Sequence, residues 1–263
     1  MPVSATATIA PGVRVPDSCW IGPGCVIGAG VELGEGCRLE AHVVLEGPTR
    51  LGPRNHIYPF TTIGLAPQDI SYRGEPTRLE IGEANTIREF ASLHRGTAKG
   101  GGLTRIGDRN LLMAYIHIAH DCMVGNDCIL ANCATLGGHV QVGDFATVGA
   151  FSPVHQFVRI GRYAFIGGGT VVTQDVLPFS KTVARRDARA YGVNHLGLER
   201  RGFAPETRAA LKHAFHLLLS SSLNTTQALE QIRAQIAASG LPADHPVAEL
   251  ADFLASSERG VIK

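Results

Sequence analysis

From residue 106 to residue 172 an aliphatic side chain returns at every sixth position: Ile106, Leu112, Ile118, Val124, Leu130, Leu136, Val142, Val148, Val154, Ile160, Ile166 and Val172. That period matches neither the 3.6-residue turn of a helix nor the two-residue alternation of a strand. It marks a solenoid of three-sided coils, one hexapeptide to a side and about 18 residues to a coil. Successive coils then stack at roughly 4.8 Å, the strand-to-strand spacing. The same phase runs through Ile9, Val15, Ile21, Ile27, Leu33, Leu39, Leu45, Leu51, Ile57 and Ile63. Glycine often follows the aliphatic residue (Gly22, Gly28, Gly34, Gly52, Gly64), which is expected where a corner needs positive φ.

Composition limits what such a chain does. A net charge of +1 gives no support to a broad nucleic-acid surface. No stretch approaches the roughly 20 apolar residues of a membrane span, so no integral membrane segment is expected, and the N-terminal residues do not read as a secretory signal. Cys19, Cys25, Cys37, Cys122 and Cys128 share one hexapeptide position with small residues such as Val13 and Ala134, whereas Cys133 is out of phase. They read as small buried hydrophobes of a reducing, cytoplasmic protein. The absence of a CxxC pair argues against structural zinc.

Two excursions break the wall. Residues 64–79 (GLAPQDISYRGEPTRL) and 95–105 (RGTAKGGGLTR) are rich in glycine, proline and charge, and read as loops projecting from corners. The coil is expected to occupy residues 1–190, with an irregular, basic stretch from Pro178 to Gly197 that includes Lys181, Arg185, Arg186 and Arg189. A helical domain follows over 191–263. Three helices are expected there: one from Pro205 with Leu211, Ala214, Phe215 and Leu218 on one face, one after Asn224, and one from Pro246. They would cap the open end of the stack.

Histidines stand out against this bland wall. Stacking by one coil places His120 under Gly138 and Gln156, and Asp121 under His139; His155 lies beside Gln156. A histidine next to a carboxylate has what a general base needs, a pKa near neutrality and a partner that fixes its tautomer. Gly138 is expected to leave open space over the imidazole, with its N–H facing that space. Metal binding is the competing chemistry, using His117, His120 and His139 or His155, but His117 and His120 occupy different hexapeptide positions. Surface histidines at a subunit contact are the bland alternative.

The string His117-Ile118-Ala119-His120-Asp121-Cys122, with Leu136-Gly137-Gly138-His139-Val140, Val154-His155-Gln156-Phe157, His94-Arg95-Gly96-Thr97 and Arg200-Arg201-Gly202-Phe203, resembles the UDP-N-acetylglucosamine acyltransferases that begin lipid A biosynthesis. The resemblance covers essentially the whole chain. It implies a mainly β fold, a left-handed parallel β-helix of hexapeptide repeats with a C-terminal α-helical domain, assembled as a homotrimer with active sites between subunits. It implies transfer of a 3-hydroxyacyl group from acyl carrier protein to the 3-hydroxyl of UDP-N-acetylglucosamine, with no cofactor and no metal. On the same basis His120 is the base, Asp121 its support and Gly138 N–H the oxyanion donor. Gln68, Asp69, His117, His139, His155, Gln156, Asn194 and Arg200 would bind the sugar nucleotide, Gly168 would border the acyl groove, and Arg201 would meet the carrier protein. The sequence departs from the family pattern at Ser71, where a lysine is common, and over residues 183–189 (VARRDAR). The residues leave open a 3-amino acceptor, an acyl-CoA donor and the acyl length.

Overall fold

The computed structural model describes residues 3–184, 188–220 and 222–263. Among the described residues, strands of mostly two residues build three sheets, parallel except for the last strand of the third, which form the faces of a left-handed β-helix. The first face has eight strands, from Thr8–Ile9 to Pro153–Val154, and the second seven, from Val31–Leu33 to Arg159–Ile160. The third has ten, beginning at Trp20–Ile21. Each inward aliphatic residue pairs with its counterpart in the next coil, as Ile118 with Leu136 and Leu136 with Val154. Leu39, Leu45, Leu112, Leu130, Leu136 and Val148 are fully buried in one continuous core. Both excursions leave this register intact, for Leu51 pairs with Ile81 and Ile81 with Ile106.

The repeat assigns work to each hexapeptide position, with one correction to the expected geometry. Of the five glycines that follow an aliphatic residue, only Gly64 has positive φ. The others are glycine because the next coil passes too close. A Cβ on Gly34 would lie 2.5 Å from the carbonyl carbon of Gly52, and one on Gly22 2.8 Å from that of Glu40. The left-handed residue comes two places later and is usually not glycine: Asp121 (φ 60°), His139 (φ 64°) and Phe157 (φ 66°) form one such column. The small position is buried as expected. The Cys122 thiol donates to the Gly137 carbonyl at 3.1 Å, and burial pushes it up to about 12, which leaves it unreactive. Asn55, Asn85 and Asn110 occupy the same position. The Asn85 N–H donates to Asn55 Oδ1 at 2.9 Å and the Asn110 N–H to Asn85 Oδ1 at 2.8 Å, a buried ladder that ties coils together across both excursions.

Beyond Val172 the structure is more regular than the irregular stretch expected from Pro178 to Gly197. Ser180–Ala184 and Ala188–Val193 pair antiparallel and extend the third face; Arg185 and Arg186 lie outside the described residues. Among the described residues four helices follow: α1 (His195–Arg200), α2 (Pro205–Leu219), α3 (Thr225–Ala238) and α4 (Pro246–Ala255). The expected three correspond to α2, α3 and α4, and α3 opens on a capping box between Asn224 and Gln227. The short α1, capped by Asn194, has too few residues to display a period. Leu211, Phe215, Ile232 and Leu250 pack with Leu177, Phe179 and Val193 in a second core. The β-helix core itself is closed by Ile262, whose N–H donates to the Asp175 carbonyl at 3.1 Å. No helix among the described residues is long and apolar enough to cross a membrane.

α4 docks on the coil through Glu249, 3.2 Å from Arg162 Nη1. Burial raises the Glu249 carboxyl to about 7, with Arg162 opposing the rise and Asp144 adding to it. A carboxyl whose folded pKa lies above its unfolded one stabilises the fold below about 4.5 and loses that contribution as pH rises through about 7. Glu249→Gln is therefore expected to flatten the wild-type decline in melting temperature over that window, as followed by thermal melts from acid to neutral pH. An unchanged slope would rule Glu249 out as its source.

Candidate active site

The site forms where the chain leaves the first face at His117–Ile118 and turns towards the second at Met123–Val124. Neighbours on a strand point to opposite faces, but His120 and Asp121 lie in the corner. The left-handed backbone of Asp121 brings its carboxylate back to the preceding ring. Asp121 Oδ2 accepts from His120 Nδ1 at 2.8 Å. The carboxylate is buried, and every hydrogen bond to it comes from an identified donor. Thr97 N–H donates to Oδ1 at 2.8 Å and Thr97 Oγ1 to Oδ2 at 2.6 Å, while the Asp121 N–H donates to Thr104 Oγ1 at 2.8 Å. With Nδ1 committed as a donor to a carboxylate, the His120 Nε2 is left as the proton acceptor.

Gly138 does not leave the expected open space above His120. The imidazole itself fills that place, and a Cβ on Gly138 would lie 2.5 Å from His120 Cε1 and 2.8 Å from Nε2. Glycine is what allows the ring to lie against the backbone of the next coil. Among the described residues the Gly138 N–H has no hydrogen-bond acceptor. The equivalent corner position elsewhere holds Pro23, Pro53 and Pro59, which shows that the coil does not need a donor there.

His139 packs edge-on to His120, with ring centroids 5.2 Å apart, and stacks on Phe157. Its Nε2 is 3.7 Å from Asp121 Oδ2. Burial lowers the His139 pKa, Asp121 opposes this and His120 adds to it. His117 Nδ1 is 2.7 Å from Ser92 Oγ, and its ring meets His94 edge-on. Burial, then the proximity of His120, lowers the His117 pKa. Burial holds His94 down at about 4, with His117 and His120 adding to the effect. Asp69 stands close enough to act on both His120 and His139. Its carboxylate is held below the usual range by the Ser71 hydroxyl and N–H first, then by Lys99 and His120.

The second excursion supplies what sequence reasoning missed. Thr97 and Thr104 flank a single 3₁₀ turn, Ala98–Gly100, and clasp Asp121 from either side. Lys99 Nζ reaches across to Ser71 Oγ at 2.9 Å, so position 71, which lacks the expected lysine, still meets a cation. Among the described residues, those able to surround a metal ion are His120, Asp121 and His139, rather than a set that includes His117 or His155. An ion there would have to displace the hydrogen bond of Asp121 to His120 or to Thr97, and the bonded arrangement is that of an acid–base pair.

Other expected site residues lie elsewhere on the same chain. His155 and Gln156 are exposed one coil further on, where Arg259 Nη1 donates weakly to the Gln156 carbonyl at 3.4 Å. Asn194, Arg200 and Arg201 line a cavity of about 570 Å³ with Phe145, Tyr163 and Phe165 on the third face. Arg201 also lies over the Phe145 ring at 4.5 Å. Gly168 follows the third-face strand Phe165–Ile166, and a Cβ there would come within 3.2 Å of the Ala150 carbonyl oxygen. Gln68 is exposed at the start of the first excursion's tip. One chain therefore brings His117, His120, Asp121, Gly138 and His139 together, links Asp69 to the same excursion through Ser71 and Lys99, and leaves Asn194, Arg200 and Gly168 on another side of the prism.

Residues 175–262 match the model for domain 2 of UDP N-acetylglucosamine O-acyltransferase, and residues 12–47 and 103–138 match the bacterial transferase hexapeptide model. The acyl-[acyl-carrier-protein]–UDP-N-acetylglucosamine O-acyltransferases of Thermodesulfovibrio yellowstonii and Halorhodospira halophila are 46% and 47% identical, each over 99% of both chains. The chain belongs to the acyl-[acyl-carrier-protein]–UDP-N-acetylglucosamine O-acyltransferase family. The solved structure of the family member from Moraxella catarrhalis superposes with a TM-score of 0.94 at 38% identity, covering all of both chains. That of LpxA from Acinetobacter baumannii does so with a TM-score of 0.93 at 41% identity, also over the full length of both. The O-acyltransferase likeness thus extends through coil and helices alike.

Proposed function

We propose that this chain transfers a 3-hydroxyacyl group from acyl carrier protein to the 3-hydroxyl of UDP-N-acetylglucosamine, the first step of lipid A biosynthesis, in the cytoplasm and without a cofactor. The observation that carries this reading is the buried Asp121 carboxylate holding His120 by Nδ1. His120 Nε2 takes the proton of the sugar hydroxyl as its oxygen attacks the thioester carbonyl. The oxyanion of the tetrahedral intermediate meets the Gly138 N–H, a donor of a kind worth about 3 kcal/mol to such a charge. Collapse of the intermediate breaks the C–S bond, and the departing thiolate takes the proton back from the imidazolium. Asp121 stabilises that imidazolium, and the lowered pKa values of His94, His117 and His139 keep further positive charge away from it.

The separation of Asn194, Arg200 and Gly168 from His120 within one chain supports a homotrimer in which each site draws on two subunits. Arg200, whose planar fork suits phosphate oxygens, would reach the nucleotide from the neighbouring copy, and Arg201 would meet the acidic carrier protein. A mixing experiment tests both points. His120→Ala and Arg200→Ala homotrimers should each be nearly inactive. Trimers reassembled from equal amounts should regain about one intact site in four, using an acyl-carrier-protein donor in preference to the acyl-CoA. Mixed trimers no more active than either parent would refute the shared site.

A further inference from the structure

The turn at Ala98–Gly100 is pinned to the catalytic corner on both sides of its lysine. Thr97 gives two hydrogen bonds to Asp121, and Gly100 lies so close that a Cβ on it would collide with the same carboxylate. Lys99, between them, is exposed and extends away from the coil to the tip of the first excursion. There its ammonium donates to Ser71 Oγ, and Ser71 in turn gives both its hydroxyl (2.7 Å) and its N–H (2.6 Å) to Asp69 Oδ1. The neighbouring Ile70 is 99% exposed, so the tip has little apolar packing to hold it. A second tether from the second excursion is Arg95 Nη2 to the Tyr72 hydroxyl at 3.3 Å, on the far side of Ser71.

Charge balance gives Lys99 a second task. Asp69 stands at the mouth of the site with the buried Asp121 carboxylate behind it, and the charge of Lys99 acts on Asp69. A sugar nucleotide brings a diphosphate, and two carboxylates alone would repel it. An ammonium at the rim offsets that repulsion and keeps Asp69 in place to accept a sugar hydroxyl.

We propose that Lys99 is a positioning residue for the sugar-nucleotide acceptor, acting through Ser71 and Asp69 and through its own charge rather than in the proton transfer at His120. This rests on the acyl-transfer reading above. Lys99→Met is expected to raise the KM for UDP-N-acetylglucosamine about tenfold, the size of one lost charge-assisted hydrogen bond. The kcat and the KM for the acyl-carrier-protein donor should stay within about twofold. Lys99→Arg should retain most of the wild-type acceptor KM. Adding Ser71→Lys to Lys99→Met should recover it, because a lysine at 71 returns an ammonium to the same place from the other loop. An unchanged acceptor KM in Lys99→Met, a loss falling on kcat or on the donor, or a double variant no better than Lys99→Met would each overturn the proposal. Wild-type protein serves as the control. Failure of the wild type to acylate UDP-N-acetylglucosamine would overturn the reaction and the role of Lys99 together. A fully active Lys99→Met would remove Lys99 alone.

Discussion

His120→Ala is expected to lower kcat by about 10²- to 10⁴-fold, the range typical of a lost general base, while leaving the coil and the acceptor KM nearly unchanged. The fold should survive because His120 lies in a corner outside the apolar wall, and the inward residues that carry the coil, Ile118 and Leu136, remain fully buried. Asp121 would keep its two hydrogen bonds from Thr97. The measurement is steady-state kinetics, with circular dichroism and mass determination as controls. Turnover within about tenfold of wild type would remove His120 from the proton transfer.

Gly138→Ala carries the second largest effect, and a single methyl group causes it. Gly138 does not have positive φ, so alanine fits the backbone. The three heavy atoms nearest to the added Cβ all belong to the His120 ring, from 2.5 to 3.0 Å away. The imidazole must rotate or shift, and either movement lengthens its 2.8 Å bond to Asp121. A displacement of about 1 Å in a reacting group typically costs on the order of 10²-fold in rate, and that is the expected fall in kcat. Substrate affinity and melting temperature should change little. A kinetic comparison of Gly138→Ala with wild type and with His120→Ala decides the matter. If the alanine variant turns over within about twofold of wild type, the ring is not held where the structure places it.

The solenoid was legible because one rule repeats: an inward aliphatic residue every six places, each coil lying on the one before. That rule also brings Asp121 to His139 and His120 to Gly138 by counting alone. It could not tell an empty place above His120 from one filled by the ring, since the period locates backbones and not rotamers. Thr97, Gly100 and Lys99 were beyond its reach for a different reason. The excursion that carries them breaks the count, and their contacts with Asp121 and Ser71 depend on the path of an irregular loop. The return of Ile262 to the coil core was hidden in the same way, because a single buried residue has no period.

The unbroken pairing of Leu51 with Ile81 and of Ile81 with Ile106 also limits how a lineage of such chains can change in length. Extra residues at a corner are cheap, because the next strand still lands on its partner. Six residues gained or lost within the wall would turn every later coil by one face and carry His139 to a different edge from Asp121. A whole coil could be gained or lost without that rotation. Heritable length variation should therefore collect in corner loops such as those bearing Asp69 and Lys99, so that acceptor recognition can drift while the His120–Asp121 pair stays where it is.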